Sequence, residues 1–332
     1  LTMSDSQMQY PVTDLSQRFR QLEHIRQGER IRFTMLLIVG VLVVVLAIWV
    51  IIFAAKQGAD VLKYLFVALL MVAWSVFHGA FRARGRYCEA YKSQVIPALV
   101  QSLQPDMSYR SGGHFNDDLF YRSGLYEQYY NIFESEDVLN GCIGETEFQI
   151  GEIKVQSETT SYKNGKEQKE IVTIFDGLFA VAAFPRECQG NIFVVPDFAE
   201  KYFGMLGAKF QKVESGLNQH LLRVDNPEFE KAFIVRATDP AEAVTVLTPE
   251  LQEQILILRA RFGNDLRLAF KPSQLFIAIP SSRDWFEPRL SRPASSPRQV
   301  GHLVNQLKAC FQIVEDLNLN TRIWTKPKLQ NP

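Results

Sequence analysis

Two long apolar runs constrain this chain more than any other feature. Residues 33–53 are 21 positions without a charge, and residues 61–81 are another 21 that hold one lysine, one serine and one histidine. At a rise of about 1.5 Å per residue, either run forms a helix roughly 31 Å long, which matches the hydrocarbon core of a bilayer. Residues 54–60 leave room only for a turn. The runs therefore predict a transmembrane helical hairpin, because two buried helices of a soluble protein fit this length and purity poorly.

Basic side chains flank the hairpin at its two outer ends. The connecting turn holds only Lys56, whereas nine basic residues precede the first run or follow the second: Arg18, Arg20, Arg26, Arg30, Arg32, Arg82, Arg84, Arg86 and Lys92. Positive charge is retained on the cytoplasmic side, so the pattern predicts a multi-pass membrane protein with both termini in the cytoplasm. The same charges attract anionic headgroups, which makes the lipid bilayer the first predicted partner.

The formal net charge of zero hides an uneven distribution. Residues 111–280 hold 16 basic and 25 acidic side chains, whereas residues 281–332 hold eight basic and four acidic ones. The basic stretches adjoin the apolar runs and lack interleaved aromatic residues apart from Tyr87 and Tyr91, so no nucleic-acid partner is predicted. The four cysteines show no close spacing, which agrees with a reducing compartment and predicts neither disulfides nor a zinc site.

The hairpin sets the expected domain organisation. We expect a cytoplasmic N-terminal segment, the hairpin, a cytoplasmic domain and a short tail, at residues 1–32, 33–81, 82–327 and 328–332. In the N-terminal segment Leu15, Phe19, Leu22 and Ile25 recur at helical spacing. This amphipathic helix either packs on the protein's own domain or lies on a membrane or partner surface.

After the hairpin the pattern predicts an α+β domain with mostly antiparallel strands. A helix continues the second span, and Pro97 either kinks it or opens a new turn at Ile96. Residues 139–157 alternate around two glycines, as a hairpin does, and residues 161–169 form a polar tip centred on an Asn-Gly pair. Residues 171–184 are apolar at most positions, which predicts a strand buried on both faces.

Further elements follow towards the C-terminus. Strands are predicted at residues 190–196, 220–224 and 231–237, the last two on either side of a turn at 225–227, and a hairpin closes through Pro272-Ser273. Helices are predicted at residues 198–206, after an N-cap at Thr248, and at residues 300–317.

Two C-terminal segments are candidates for interaction. Residues 281–299 hold three prolines and five serines, which predicts a mobile loop that presents Trp285 and Phe286. Residues 317–320 alternate leucine and asparagine ahead of Arg322 and Trp324. This pattern favours a strand that docks the tail on the domain, with an exposed partner surface as the alternative.

No standard catalytic motif is present: the sequence lacks a phosphate-binding glycine loop, an HExxH pair and a GxSxG elbow. A low-prior polar site remains at Asp225, Glu228 and Glu230, with His220 nearby, whose carboxylates could act as acid and base or hold a divalent cation. A solvated turn explains the same residues. His114 beside Asn116-Asp117-Asp118 is more typical of a helix cap than of a metal site. No catalytic residue, cofactor or metal is assigned.

Several blocks of the sequence resemble one bacterial family. They are Ser135-Glu136-Asp137-Val138 through Gly144-Glu145-Thr146, Phe175-Asp176-Gly177-Leu178-Phe179, Val194-Val195-Pro196-Asp197, Asn226-Pro227-Glu228-Phe229-Glu230-Lys231, Leu247-Thr248-Pro249, Phe286-Glu287-Pro288 and residues 313–324. Together they resemble the membrane-protein family called domain of unknown function three-one-three-seven, from about residue 93 to 327. The resemblance implies a bacterial inner-membrane location and suggests a LemA-type membrane protein as partner. It implies no catalytic residues.

These observations favour a non-enzymatic, membrane-anchored cytoplasmic domain that scaffolds or regulates a membrane complex, by self-association or with a LemA-type protein. A membrane-tethered hydrolase or cation-dependent enzyme that uses the carboxylates around 225–230 is the alternative. A third possibility, binding of a lipid or small apolar ligand, requires an enclosed apolar pocket.

Overall fold

The computed structural model describes residues 12–57, 61–163, 166–184, 188–197, 220–317 and 319. The chain divides into two compact units, of which the first comprises Leu1–Ser102 and Phe286–Asn305 and the second Leu103–Trp285 and Gln306–Pro332. The first unit is built on long helices, and the described residues of the second form an antiparallel sheet of nine strands. The predicted α+β class is therefore confirmed.

The predicted hairpin runs lie inside two long helices, α1 (Val12–Gln57) and α2 (Val61–Gln94), followed by α3 (Ile96–Leu103). Both helices are long and apolar enough to cross a membrane, by length and composition. The N-terminal segment is not a separate helix, because it continues directly into α1. The predicted new turn at Ile96 is confirmed, since the proline that follows cannot donate a hydrogen bond within α2.

The helix pair packs small residues inward and large ones outward. Gly40, Ala47 and Ala54 recur at seven-residue intervals on α1 and are buried, as are Ala73 and Ala80 on α2. A Cβ at position 40 would lie 2.8 Å from the ring of Phe77, so glycine permits the close approach of the helices. The large apolar side chains are exposed instead, among them Ile38, Leu42, Leu46, Trp49, Leu65, Met71 and Trp74. Small residues at the contact are typical of helices that pack in lipid.

The sheet of the second unit has the order β1-β2-β3-β4-β9-β8-β5-β7-β6. The strands are β1 (Met107–Arg110), β2 (Ile132–Ile143), β3 (Thr146–Lys163), β4 (Lys166–Ala183), β5 (Ile192–Pro196), β6 (His220–Leu222), β7 (Phe233–Ala237), β8 (Arg267–Lys271) and β9 (Gln274–Pro280). Every described pairing is antiparallel, as predicted.

Three predicted hairpins form where turn chemistry indicates them. Gly144, with φ 62°, turns β2 into β3, and Ser273, with φ 60°, turns β8 into β9. The strands β3 and β4 pair up to Lys163 and Lys166, while the Asn-Gly pair at their tip lies outside the described residues. The prediction that residues 171–184 are buried on both faces is wrong for Ile171, which is 56% exposed, because β9 pairs with β4 only from Gly177 onward.

Five further helices are described after α3, and four of them begin at a polar cap. The four are α4 (Asp117–Ser123), α5 (Pro227–Ala232), α6 (Pro240–Val246) and α7 (Pro249–Phe262), and the fifth helix is α8 (Pro297–Asp316). The caps predicted at Asn116 and Thr248 are confirmed, because each side chain accepts a main-chain N–H of the first turn. The predicted turn at 225–227 is instead the start of α5, capped by Asn226. The helix predicted at residues 198–206 lies outside the described residues.

Aromatic rings fill one face of the sheet. The ring of Phe179 lies 5.3 Å from that of Phe120 and 5.6 Å from that of Phe115, measured between centroids. Phe175 and Tyr126 extend the same cluster. Aromatic contacts of this kind add to the burial of apolar area, so the space between α4 and the sheet is occupied by side chains.

Candidate functional site

Buried charges in the first unit gather where residues 286–299 contact α1 and α2. We call this group the polar cluster, and its members are Glu23, Arg26, Tyr87, Lys92, Glu287 and Gln299. Buried charges occur in folded proteins only when they are paired and hydrogen-bonded, so each contact in the cluster requires a partner.

Glu23 and Arg26 lie one turn apart on α1 and together bind the loop. The Nε of Arg26 donates to both carboxylate oxygens of Glu23, at 2.9 and 3.1 Å, and its Nη1 donates to the carbonyl of Leu290 at 3.0 Å. The carboxylate of Glu23 also accepts the N–H of Ala294 at 2.9 Å. One ion pair on α1 therefore satisfies two main-chain groups of the loop.

A second ion pair comes from α2. The Nζ of Lys92 lies 2.7 Å from Oε1 of Glu287, and the side chain of Lys92 is only 6% exposed. The guanidinium of Arg84 lies 4.0 Å from the other oxygen of Glu287 and remains half exposed. The buried ammonium is thus neutralised by a loop carboxylate that a second cation approaches from the solvent side.

Uncharged groups complete the contact between the loop and α2. The hydroxyl of Tyr91 donates to the carbonyl of Ala294 at 3.2 Å, and Nε2 of Gln299 donates to the hydroxyl of Tyr87 at 3.4 Å. The Oε1 of Gln299 accepts the N–H of Arg289 at 2.9 Å. These bonds hold the segment in place, which differs from the mobile loop that its proline and serine content predicts.

The cluster sets the protonation states of its members. The hydrogen bonds from Arg26 lower the pKa of Glu23 to about 2, against a smaller opposing effect of burial. Burial raises the pKa of Tyr87 to about 12 and that of the adjacent Cys88 thiol also to about 12, with the charge of Glu287 adding to the latter. At neutral pH the Glu23–Arg26 pair is therefore ionised, and the phenol and the thiol keep their protons.

The polar cluster is better suited to holding residues 286–299 on α1 and α2 than to catalysis. The thiolate is the reactive form of cysteine, and the thiol of Cys88 is both buried and protonated, with its Sγ 3.6 Å from the carbonyl of Pro288. The carboxylates are bound to cations and main-chain donors that fill their lone pairs. The cluster holds the loop that follows β9 against the N-terminal part of α1 and the C-terminal part of α2.

The four polar residues predicted around 225–230 lie at the surface of the protein. Glu228 and Glu230 lie in the first turn of α5 and are exposed, as are Asp225 ahead of it and His220 at the start of β6. Within the described ranges, no group of three or more histidine, cysteine, aspartate or glutamate side chains could hold a metal ion. Their exposure agrees with the interpretation of these residues as solvated structure, which takes the form of a capped helix rather than a turn.

The predicted interaction residues have different surroundings. Phe286 is 1% exposed with φ 57°, so it is a core residue and does not present its ring to a partner. Trp285 is half-buried, its ring centroid lies 6.3 Å from that of Phe262, and its main-chain N–H donates to the carboxylate of Glu152 at 3.3 Å. Arg322 and Trp324 lie outside the described residues, so their role stays a prediction. Leu317 and Leu319 ahead of them are buried.

The sequence analysis missed the polar cluster and one buried acid in the sheet. Arg26 falls four residues after Leu22 on the buried face of α1, and that spacing could have marked it. Asp137 is 1% exposed with φ 54° at the irregular point of β2, and it accepts a hydrogen bond from the hydroxyl of Tyr109. Nothing in the local sequence distinguishes it from the exposed acids nearby.

Comparisons with known proteins agree with the resemblance noted in the sequence. Among solved structures, a crystal structure of the mycobacterial trehalose monomycolate transport factor A, TtfA, is similar with 10% identity and a TM-score of 0.32, over 66% of this chain and 92% of that chain. That likeness is too low to carry over a fold or a function. No curated protein matches the chain. The model of the family described as "Protein of unknown function (DUF3137)" matches residues 173–319, which confirms the resemblance to the family called domain of unknown function three-one-three-seven.

Proposed function

We propose that the protein is a scaffold or regulator of a membrane complex, anchored in the bacterial inner membrane by α1 and α2. Both ends of the hairpin lie in the cytoplasm in this proposal, and the sheet domain is the part that binds partners. A LemA-type membrane protein and a second copy of the chain are the proposed partners, as the resemblance and the arrangement of the sheet suggest.

The inside-out packing of the helix pair is the observation that carries this proposal. Large apolar side chains cover the outer surface of α1 and α2, while glycine and alanines form the contact between the helices. A continuous exposed apolar surface of this size is unfavourable in water and favourable in hydrocarbon. The arrangement supports a helix pair surrounded by lipid.

The exposed basic residues support the proposed orientation. Some flanking cations are occupied, since Arg26 binds Glu23 and Arg86 binds Glu29 at 2.7 Å. Five more arginines at the same end of the pair have exposed side chains, although Arg32 and Arg84 each also lie within 4.0 Å of a carboxylate: Arg20, Arg30, Arg32, Arg82 and Arg84. Exposed cations beside an apolar helix favour contact with anionic headgroups of the cytoplasmic leaflet.

The polar cluster supports a binding role for the whole chain. It fixes the segment after β9 to the helices through five hydrogen bonds and ion pairs that involve Leu290, Ala294 and Glu287. In this proposal, a segment held on the anchor helices in this way remains beside the membrane. No observation on the described residues favours the hydrolase alternative at 225–230, because its carboxylates are exposed.

Affinity purification from a mild detergent tests the proposal. The tagged full chain should retain a membrane partner or a second copy, identified by mass, in several detergents. A matched chain in which Leu42→Asp and Leu46→Asp disrupt the anchor should lose a membrane partner. Recovery of monomer alone in every detergent would contradict the scaffold.

Orientation has its own test. Single cysteines at exposed positions 30 and 57 of the full chain should differ in labelling by an impermeant maleimide applied to intact cells. Position 57, in the turn between the spans, should label, and position 30 should label only after the cells are opened. Equal labelling of both, or the reverse pattern, would overturn the orientation.

A further inference from the structure

The outer part of the β3–β4 hairpin is a two-stranded arm with an open edge. Residues 157–163 pair with residues 166–172, and the side chains of residues 167–173 are exposed. On the side of β4 away from β3, strand β9 pairs only with residues 177–183. No described strand pairs with residues 167–175 on that side. A ribbon of two strands is marginally stable in water by itself, and an open edge is a template for another strand.

The contacts of Asn131 show which main-chain groups face that edge. The side-chain amide of Asn131 donates to the carbonyl of Glu158 at 3.1 Å and accepts its N–H at 2.8 Å, so the main chain of Glu158 points away from β4. Its partner across the hairpin, Ile171, must then point away from β3. By alternation, Glu167 and Lys169 also direct their N–H and C=O groups to the open edge.

The charges along this edge are complementary to themselves when the strand is reversed. An antiparallel copy centred on Gln168 sets Glu167 opposite Lys169 of the copy and Lys169 opposite Glu167 of the copy. Both pairs exchange main-chain hydrogen bonds, because both residues face the edge. Opposite charges directly across two strands are stabilising, and like charges are destabilising.

Neighbouring registers lack this complementarity. A two-fold axis at Glu167 sets that carboxylate opposite itself, and an axis at Lys169 sets the ammonium opposite itself. An axis between two residues opposes an edge-facing residue to one that faces β3, which forms no regular ladder. Among these registers, the charge pattern therefore favours the one centred on Gln168.

We propose that β4 is the self-association surface of this protein, where two copies join their sheets antiparallel about Gln168. The pairing covers the exposed edge and brings the half-exposed Ile171 and Val172 of each arm towards the other copy. The contact is short, so the dimer is weak and depends on a shared membrane to raise the local concentration. The proposal makes a second copy of the chain a partner of the proposed scaffold and so rests on that function. Its evidence, however, is the edge of β4 and not the helix pair.

Disulfide trapping of the full chain in its membrane tests the proposal. The Cα atoms of a non-hydrogen-bonded pair lie about 4.5 Å apart, which suits a disulfide, so Gln168→Cys should cross-link into a product of twice the chain mass on mild oxidation. Ser161→Cys is the matched control, since Ser161 pairs with Gln168 one strand further from the axis and lies about 14 Å from its mate. The chain without added cysteines gives the background.

Charge changes on Gln168→Cys test the register. Lys169→Glu and Glu167→Lys each place like charges opposite one another and should each reduce cross-linking about tenfold. Co-expression of the two variants under different tags should restore the hetero-dimer to the level of Gln168→Cys alone. Circular dichroism should show that each variant is folded.

Three results would overturn the proposal: equal cross-linking at positions 161 and 168, no restoration on co-expression, or a product whose mass reveals a different protein. Membrane retention and recovery of a membrane partner are measured on the same variants. If cross-linking fails while the variants still stay in the membrane and still recover a partner, only the β4 contact is rejected. If the unchanged chain is not retained in the membrane, the anchored scaffold is rejected.

Discussion

The helix pair and the sheet bury opposite kinds of side chain. Within the apolar runs of α1 and α2 the buried positions are glycine and alanine apart from Val50, and the exposed ones include leucine, isoleucine and tryptophan. In the core cluster on the sheet the buried side chains are mostly phenylalanine and valine. The difference teaches that the two regions suit different surroundings: apolar bulk placed inward suits a domain in water, and apolar bulk placed outward suits the proposed anchor in lipid.

The largest expected effect is on the outward face of α1. Leu42→Asp together with Leu46→Asp introduces two charges at the middle of the first span, at a cost of about 2.5–3.5 kcal/mol each for insertion. We expect the chain to move from the carbonate-resistant membrane fraction to the soluble or degraded fraction. Ile171→Asp with Val172→Asp, which also changes two exposed apolar residues, should leave retention unchanged. Equal loss in both variants would remove the distinction between the two regions.

The next effect is on the inward face of the sheet. Phe179→Ala removes a fully buried ring that contacts Phe115 and Phe120, and we expect a loss of about 3–5 kcal/mol in the free energy of unfolding. Phe81→Ala makes the same chemical change on the exposed surface of α2 and should change stability by no more than about 0.5 kcal/mol. Urea unfolding of the detergent-solubilised chain, followed by circular dichroism, measures both. A similar loss for Phe81→Ala would show that the helix surface is a packed core.

The polar cluster should show a smaller effect, localised to the loop. Arg26→Met leaves the carboxylate of Glu23 without its cation and the carbonyl of Leu290 without its donor, at a cost of about 1–3 kcal/mol. Hydrogen exchange across residues 286–296 should rise in this variant. Arg30→Met, at an exposed position of the same helix, should leave exchange in the loop as it is.

The cluster also predicts a pH dependence. The folded-state pKa of Glu23 is lowered to about 2, so the unfolded chain binds more protons than the folded one between that value and its ordinary pKa near 4.5. The stabilisation is complete above about pH 5 and is lost as the pH falls towards 2. Glu23→Gln should flatten this part of the stability profile, measured as urea midpoints between pH 3 and 6. An unchanged slope would mean that other carboxylates carry it.

The smallest effect concerns α5 and the acids beside it. Asn226→Ala removes the side chain that accepts two N–H groups of the first turn and should cost about 1 kcal/mol. Glu228→Gln and Glu230→Gln, both exposed, should stay within about 0.5 kcal/mol. The same unfolding titration compares all three. A larger loss from the glutamate variants would indicate that these side chains have partners and would revive the polar-site hypothesis.

Local patterns predicted the elements, and distant contacts decided the candidate site. The caps at Asn116 and Thr248 and the turns at Gly144 and Ser273 follow from a few adjacent residues, because each motif satisfies main-chain groups within one turn. The bond from Arg26 to Leu290 joins positions 264 residues apart. No pattern within either segment specifies the other, so a loop with three prolines was predicted as mobile although the helices fix it.

The sequence by itself determined the helix pair, because a charge-free stretch of 21 residues leaves few environments in which it is stable. It also determined the antiparallel class and most strand positions through alternation and turn residues. Only the tertiary structure decided that Lys92 and Glu287 meet, that β4 pairs with β9 only from Gly177 onward, and that Phe286 is buried. These three features depend on which surfaces pack together. The packing that forms is the one that leaves little unpaired charge and little unfavourably exposed apolar area in the whole chain, which no single segment can specify.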